Sequence, residues 1–191
     1  MTRLLLSALS LLVVCAASAS EQIVPWGSDL AVITATLTYF LKAPESGPPK
    51  PGGYIAVAPE TDRLPESTRY EDYYRELATL ERPPPRDAFT SYLERNQQTY
   101  PLGRIPSTNR SIRIEKHDEP PWNAVTSSTS KLRNDVILRA PGYSVDGASA
   151  FITFYFCCHL EGAQAFYVLR NISGHWTVVS TEYRYGLQPA L

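Results

Sequence analysis

The sequence predicts an α+β fold, with two or three N-terminal helices packed on a curved antiparallel β-meander of four to six strands. Proline usage is the first reason, because fourteen of the sixteen prolines lie between Pro25 and Pro121 and none lies between Gly142 and Gln188. Proline cannot donate to a sheet ladder, so the proline-free part favours a continuous sheet. Apolar periodicity is the second reason, since helical spacing before residue 97 gives way to strand-like alternation after about residue 110.

The N-terminus, MTRLLLSALSLLVVCAASA, has the pattern of a secretory signal peptide. Arg3 supplies the positive charge, residues 4–17 form the apolar run, and Ala17-Ser18-Ala19 is a small-residue cleavage site. The apolar run is shorter than the about 20 residues that a membrane helix needs. We therefore expect cleavage between Ala19 and Ser20 and a secreted or periplasmic location, with an uncleaved anchor as the alternative.

The chain from Ser20 to Leu191 suits one domain, with a helical half at about 28–97 and the meander at about 110–185. The full chain has 18 basic and 19 acidic side chains, and one base leaves with the signal. Without a basic cluster, the charge pattern does not indicate nucleic acid or an anionic membrane as a partner, and no later apolar run approaches a membrane span. Only two cysteines remain after cleavage, which excludes a disulfide scaffold.

The first helix is predicted to follow Ser28-Asp29, which can cap it, and to run to about Lys42. Residues 33–39 also alternate at period two and contain threonines, as a strand would. A helix is favoured because the apolar stripe is long, capped and stopped by Ala43-Pro44.

Two further helices are predicted in the proline-rich half. One starts at Thr68–Glu71, which fits a capping box, and the other starts at Pro85 and ends near Asn96. The second helix carries tyrosines at helical spacing. Such a stripe can stack on sugars or line a cavity, but we interpret it as core-facing. Its members are Tyr70, Tyr73 and Tyr74.

The predicted strands begin with YIAVA after residue 53 and SIRIEK at 111–116. The meander then comprises VILRAPGYS and ASAFITFYFC around Asp146-Gly147, followed by QAFYVLRN and HWTVVSTEYRY around the loop NISG. Residues 151–156 and 165–169 are apolar on both faces, so both faces of the sheet must be covered. We expect the helices to cover one face, and a ligand pocket, a folded-over edge or a second subunit to cover the other.

The segments APGYSVDGASAFITFYF and AFYVLRNISGHWTVV resemble the C-terminal signature of a family of uncharacterised secreted bacterial proteins. In that signature a Gly-aromatic-Ser turn, an Asp-Gly hairpin and a Gly-x-Trp strand recur, often with cysteines in the intervening turn. The layout is also similar to the cystatin-like and NTF2-like α+β group. Neither resemblance implies a known activity, so no catalytic residue is carried over. In a bacterial protein the glycosylation sequons at Asn109 and Asn171 would be unused.

Cys157, Cys158 and His159 form the segment with the most chemical character. Cysteine and imidazole are good zinc or copper ligands, although adjacent residues of a strand point to opposite faces and need a turn to share an ion. Adjacent cysteines can also form a strained, labile disulfide. A metal or redox role, an intermolecular bridge, and simple packing or a local bridge are all open for this pair.

Other catalytic patterns are weaker. Ser144 in GYSVDG is one residue short of a nucleophile elbow and is followed by a hairpin, so a serine in a turn is the better interpretation. An acid–base enzyme would need His159 or His175 to share a cleft with a carboxylate. The candidate carboxylates are Asp135, Asp146 and Glu182.

The leading hypothesis is a secreted or periplasmic, non-enzymatic protein that binds a small ligand or a protein partner through a sheet face. Its alternatives are a hydrolase- or isomerase-type enzyme in the same cavity and a thiol redox or metal protein. No cofactor is indicated, because the sequence contains no nucleotide or dinucleotide motif. A homodimer is one way to cover the second face of the sheet.

Overall fold

The computed structural model of the protein describes residues 26–42, 54–65, 69–102, 112–114, 133–158 and 161–185. The helices are α1 (Trp26–Lys42), α2 (Tyr70–Leu77) and α3 (Arg86–Arg95). The strands are β1 (Tyr54–Val57), β2 (Ile112–Ile114), β3 (Arg133–Leu138), β4 (Gly142–Tyr143), β5 (Ser149–Cys158), β6 (Glu161–Ile172) and β7 (His175–Tyr185). The predicted α+β class is confirmed.

The strands form one open sheet in the order β2-β1-β3-β5-β6-β7, with β4 paired to β5. From β3 onward all pairings are antiparallel, and this is the predicted meander. β1 lies parallel to both β2 and β3, so the sheet is mixed. Parallel neighbours require a long crossover, and the chain between β1 and β3 contains α2 and α3.

The helices lie on both faces of the sheet, which corrects the expectation that all three cover one face. On β5, the side chains of Ile152, Phe154 and Phe156 pack with α1, whereas Phe151 faces the other way and packs with α3. This alternation follows from the two-residue period of a strand. The apolar character of residues 151–156 on both faces is therefore satisfied within one chain.

α1 covers its face of the sheet through aliphatic residues and Phe40. The Phe40 ring lies 5.0 Å from the rings of both Phe154 and Phe156. Burying a side chain of this size contributes about 1.5–3 kcal/mol. The helix begins at Trp26, so Ser28-Asp29 lie inside its first turn and the predicted capping role is wrong.

α2 and α3 cover the opposite face around Phe89, which is fully buried. The rings of Tyr70, Tyr73 and Tyr74 lie 5.2, 5.4 and 5.3 Å from the Phe89 ring, so the tyrosine stripe is core-facing as predicted. The predicted capping box is wrong, because the N-cap of α2 is Arg69 and it makes no side-chain capping bond.

β4 contacts α3 so closely that only glycine fits at position 142. A Cβ atom on Gly142 would lie 2.2 Å from the Tyr92 nitrogen and 2.3 Å from the Ala88 oxygen. The next residue extends the contact, because the Tyr143 hydroxyl donates to Asp29 Oδ1 at 2.7 Å. The Gly-aromatic-Ser turn of the sequence signature therefore joins the sheet to α3 and α1.

A partly buried ion pair completes this junction. Arg95 of α3 binds both carboxylate oxygens of Asp29 in α1, at 3.0 and 2.6 Å, and also donates to the Pro141 carbonyl. Asn96 donates to the Ala140 carbonyl at 2.8 Å and accepts from the Ala140 N–H at 2.7 Å. The segment just after β3 is thus fixed by bonds from α1 and α3. Among the described helices, none is long and apolar enough to cross a membrane.

Candidate ligand-binding cleft

A cleft of about 360 Å³ lies between α2 and the sheet. Its helical wall consists of residues at spacings of three and four, which therefore share one face of the helix. They are Arg69, Asp72, Tyr73 and Glu76. The sheet side is formed by Arg139, Tyr155 and Gln164, and Leu64 and Pro65 complete the lining.

Arg139 is the buried cation of this cleft, with only 4% of its side chain exposed. It follows β3 directly and its N–H donates to the Thr153 carbonyl at 3.0 Å. By strand alternation its side chain lies on the face opposite to that of Leu138, which packs with α1. The sequence therefore directs a full positive charge into the α2 side of the sheet.

The guanidinium of Arg139 makes three long hydrogen bonds. Nη1 donates to the Tyr92 hydroxyl at 3.5 Å, and Nη2 donates to the Tyr155 hydroxyl at 3.2 Å and to Asp62 Oδ2 at 3.3 Å. The guanidinium carbon also lies 4.8 Å from the centre of the Tyr155 ring. These distances exceed the 2.7–2.9 Å that is typical of charge-assisted hydrogen bonds.

The Nε atom of Arg139 is buried and has no hydrogen-bond partner among the described residues. An unsatisfied buried donor costs about 1–3 kcal/mol, and more when the group is charged. The Nε atom itself is closed to solvent, so an acceptor in the cleft approaches the part of Arg139 that lines the cleft. Arg139 is thus a buried cation with donor capacity to spare.

The phenols of Tyr73 and Tyr155 beside Arg139 are neutral over the physiological pH range. Burial raises the pKa of Tyr73 well above its usual value, and the neighbouring Tyr92 raises it further. Burial also raises the pKa of Tyr155. For Arg139, burial opposes the charge, but the phenol oxygens that accept its hydrogen bonds outweigh burial and raise the pKa, and arginine stays protonated in proteins in any case. The cation is therefore permanent.

Hydrogen bonds hold these phenols in place. The Tyr92 hydroxyl lies 2.7 Å from Thr153 Oγ1, and Gln164 Nε2 donates to the Tyr73 hydroxyl at 3.2 Å. Tyr92 comes from α3, Tyr73 from α2 and Gln164 from β6. The surroundings of Arg139 are consequently formed by three elements before any ligand binds, which lowers the entropic cost of binding.

The carboxylates near the cleft lie closer to its rim. The Asp62 side chain is 38% exposed and contacts Arg139 through one oxygen. Glu76 accepts from Arg184 at 2.7 Å, and Asp72 forms an exposed pair with Arg75 at 3.4 Å. The cleft therefore has a cationic interior and a partly acidic rim.

The predicted metal or redox segment begins at the end of β5, two residues beyond Tyr155 of the cleft. Cys157 is paired with Asp135 and Gly162 in the sheet register, and Cys158 with Glu161. His159 and the two cysteine side chains are outside the described part of the structure, as are Ala19 and Ser20. Within the described residues no group of three potential metal ligands occurs. The metal or redox role remains a prediction.

The enzyme hypothesis needs His159 or His175 beside a carboxylate. His159 lies outside the described residues, and His175 lies far from Asp135 and Glu182. His175 is exposed at the β6–β7 hairpin, opposite Ile172. Asp135 lies at the far end of the sheet, ten residues away along β6, which is about 33 Å at 3.3 Å per residue. Glu182 is seven residues along β7 from His175, or about 23 Å.

Ser144 and Asp146 have a structural role in the turn before β5. The Ser144 hydroxyl donates to Asp146 Oδ1 at 2.6 Å, and Ser144 Oγ accepts from the Ser149 N–H at 2.9 Å. Asp146 also accepts from the Ala148 N–H at 2.9 Å. The interpretation of Ser144 as a turn residue is confirmed.

Sequence reasoning missed Arg139. The signal was a single charged residue at the end of the apolar run Val136–Leu138, directly before Ala140-Pro141. Charged residues are rarely buried without partners, so such a position deserves consideration as a binding group. Comparison of the chain with protein-family models, with curated proteins and with solved structures found no match.

Proposed function

We propose that the protein is a secreted or periplasmic, non-enzymatic binding protein that takes a small organic anion into the cleft between α2 and the sheet. The observation that carries this proposal is the buried cation Arg139, which lines the cleft and makes only long hydrogen bonds to its neighbours in the described residues. Binding proteins use a few fixed polar groups in a largely apolar cavity, and the cleft volume of about 360 Å³ lies within the range of small-molecule sites.

Binding is favoured over catalysis by the states of the groups that face Arg139. The phenols of Tyr73 and Tyr155 have raised pKa values, so they donate hydrogen bonds at neutral pH but do not act as bases. Arg139 is a permanent cation. Such groups orient a ligand and neutralise its charge, and neither phenol is a base at neutral pH.

The proposal is tested with small carboxylic acids, such as butanoate and phenylacetate, and their neutral amides. Binding is measured by isothermal titration calorimetry and by the NMR resonance of the Arg139 Nε–H group. The acids should bind and shift that resonance, and the amides should not. Hydrogen bonds to charged groups contribute about 1.5–3 kcal/mol. Arg139→Met should therefore weaken acid binding about 10- to 150-fold.

Arg170→Met is the matched control, because Arg170 is an exposed arginine on the same sheet and does not line the cleft. Thermal melting of both variants shows whether they remain folded. If the Arg139→Met protein is folded and binds the acids as tightly as the wild type, the cleft is not the binding site. The Arg170→Met protein should bind normally.

Export and the state of the cysteines are measured in one experiment. The intact mass of the native protein, taken without reductant and after thiol alkylation, reports cleavage between Ala19 and Ser20. It also reports whether Cys157 and Cys158 are free, bridged to each other or bridged between chains. Two readily alkylated thiols would leave the metal hypothesis open to titration. A mass that retains the N-terminal segment would contradict the proposed processing.

A further inference from the structure

We propose that the ligand is a zwitterion of the amino-acid class, with its carboxylate on Arg139 and its ammonium group against Asp72 and Glu76. This inference rests on the proposed function and specifies the ligand of the same cleft. Two independent observations lead to it: the buried cation Arg139, which lines the cleft and makes only long hydrogen bonds in the described residues, and the two carboxylates on the helical wall of the same cleft.

The cleft carries charges of both signs in balance. Asp72 and Glu76 line the cleft together with Arg69 and Arg139, and the Asp62 carboxylate contacts Arg139. Arg75 pairs with Asp72, and Arg184 pairs with Glu76 and Glu182, so the set holds four negative and four positive charges. A phosphate dianion would disturb this balance. A zwitterion adds no net charge and places a positive group beside the carboxylates.

Asp72 and Glu76 retain capacity to bind an ammonium group. They are four residues apart on α2 and so lie about 6 Å apart along the helix axis, on the same side. Glu76 receives Arg184 on Oε2 and Asp72 receives Arg75 on Oδ1. Since a carboxylate offers about four acceptor positions, both side chains can accept further donors.

The size and lining of the cleft limit the rest of the ligand. A volume of about 360 Å³ is at the small end of the range for ligand sites and suits an amino acid or a dipeptide. Leu64 and Pro65 supply apolar surface at one end of the cleft. An apolar side chain therefore matches the cleft better than a charged one.

The test compares L-leucine and L-phenylalanine with their N-acetyl derivatives, which keep the carboxylate and lose the ammonium group, and with their amides, which do the reverse. Calorimetry on the mature protein measures each affinity. The free amino acids should bind at least tenfold more tightly than either derivative. A double variant, Asp72→Asn with Glu76→Gln, should reduce the preference over the N-acetyl acids to less than threefold. The control, Glu81→Gln with Glu94→Gln, removes two exposed glutamates outside the cleft and should keep the preference.

The outcomes separate this inference from the proposed function. If N-acetyl acids bind as tightly as free amino acids and Arg139→Met abolishes both, the zwitterion inference is wrong and the anion-binding cleft stands. If neither amino acids nor simple acids bind, or binding survives in folded Arg139→Met protein, both are wrong. A preference that the Asp72/Glu76 double variant leaves unchanged also overturns the inference, because the ammonium group must then lie elsewhere.

Discussion

The contact between β4 and α3 provides a sharp test of the fold, through the substitution Gly142→Ala. The added Cβ atom would lie 2.2 Å from the Tyr92 nitrogen, 2.3 Å from the Ala88 oxygen and 2.5 Å from the Tyr92 Cα. All three are backbone atoms of a helix, so no rotamer change can make room. To reach an ordinary contact near 3.4 Å, α3 and β4 must separate by about 1.2 Å.

Such a separation strains the hydrogen bonds that cross the contact. The Tyr143 N–H donates to Ser91 Oγ at 3.2 Å, and Asn96 exchanges two bonds with Ala140 at 2.7 and 2.8 Å. Overpacking a rigid site costs about 1–3 kcal/mol, and each lost hydrogen bond adds about 1 kcal/mol. We expect Gly142→Ala to lower the free energy of unfolding by about 3 kcal/mol. For a domain of this size, that corresponds to a melting temperature lower by roughly 6–12 °C.

Urea denaturation, followed by circular dichroism, measures the loss directly. Gly147→Asn is the matched control, since Gly147 has a φ of 67° but no atom lies within 4 Å of its hypothetical Cβ. Asparagine tolerates that backbone conformation, so the control should lose less than about 1 kcal/mol. Equal stability of Gly142→Ala and wild-type protein would show that β4 does not approach α3 as described.

Three further predictions concern charge. Asp29→Asn should lower the free energy of unfolding by about 3–5 kcal/mol, because it leaves the partly buried Arg95 without its counter-charge. In urea denaturation, the double variant with Arg95→Met should recover part of this loss. Strictly additive losses would refute a direct pair. The raised pKa of Tyr73 means that folding favours its neutral form, so this stabilisation is complete below the unfolded pKa of about 10 and is lost as pH rises above it. In an alkaline titration followed by tyrosinate absorbance, some phenols ionise only when the protein unfolds. Tyr73→Phe should have one such phenol fewer than the wild type, and equal numbers would contradict the assignment. The Ser144 hydroxyl lowers the pKa of Asp146. The ionised Asp146 carboxylate therefore contributes stability above its usual pKa, and this contribution is lost as pH falls through the pKa of the folded state. Ser144→Ala should raise the pKa of Asp146 in an NMR titration, and an unchanged pKa would contradict this cause.

The elements of the fold could be predicted because their signals are local. The helix ending at Lys42, the helix after Pro85 and the turn at Asp146-Gly147 each depend on a few neighbouring residues whose preferences agree. The placement of the helices on the two faces could not be predicted in this way. An amphipathic stripe shows that a helix covers a surface, but Phe40 would pack equally well on either apolar face of β5.

The binding cleft was missed for a related reason. Its members come from the segment between β1 and α2, from α2, β5 and β6, and from the residue after β3, so no sequence window contains more than a few of them. Tyr73 was identified only as part of a core-facing stripe, and its hydroxyl reaches Gln164 only once α2 lies on the sheet. Cysteines and histidines attracted attention because their chemistry can be named without a structure, whereas an arginine becomes a candidate only when its burial is known.

The parallel placement of β1 has a consequence for how the chain folds. Tyr54 pairs with Arg133 and Val57 with Val136, so the first strand meets its central neighbour across a separation of 79 residues. Closing so large a loop costs entropy before any contact compensates for it, and structures dominated by distant pairings fold slowly. The helical half therefore has no completed sheet to pack against until the second half has been synthesised. We expect a nascent chain that ends before residue 133 to remain sensitive to proteases, and the full-length chain to acquire protection in a single step.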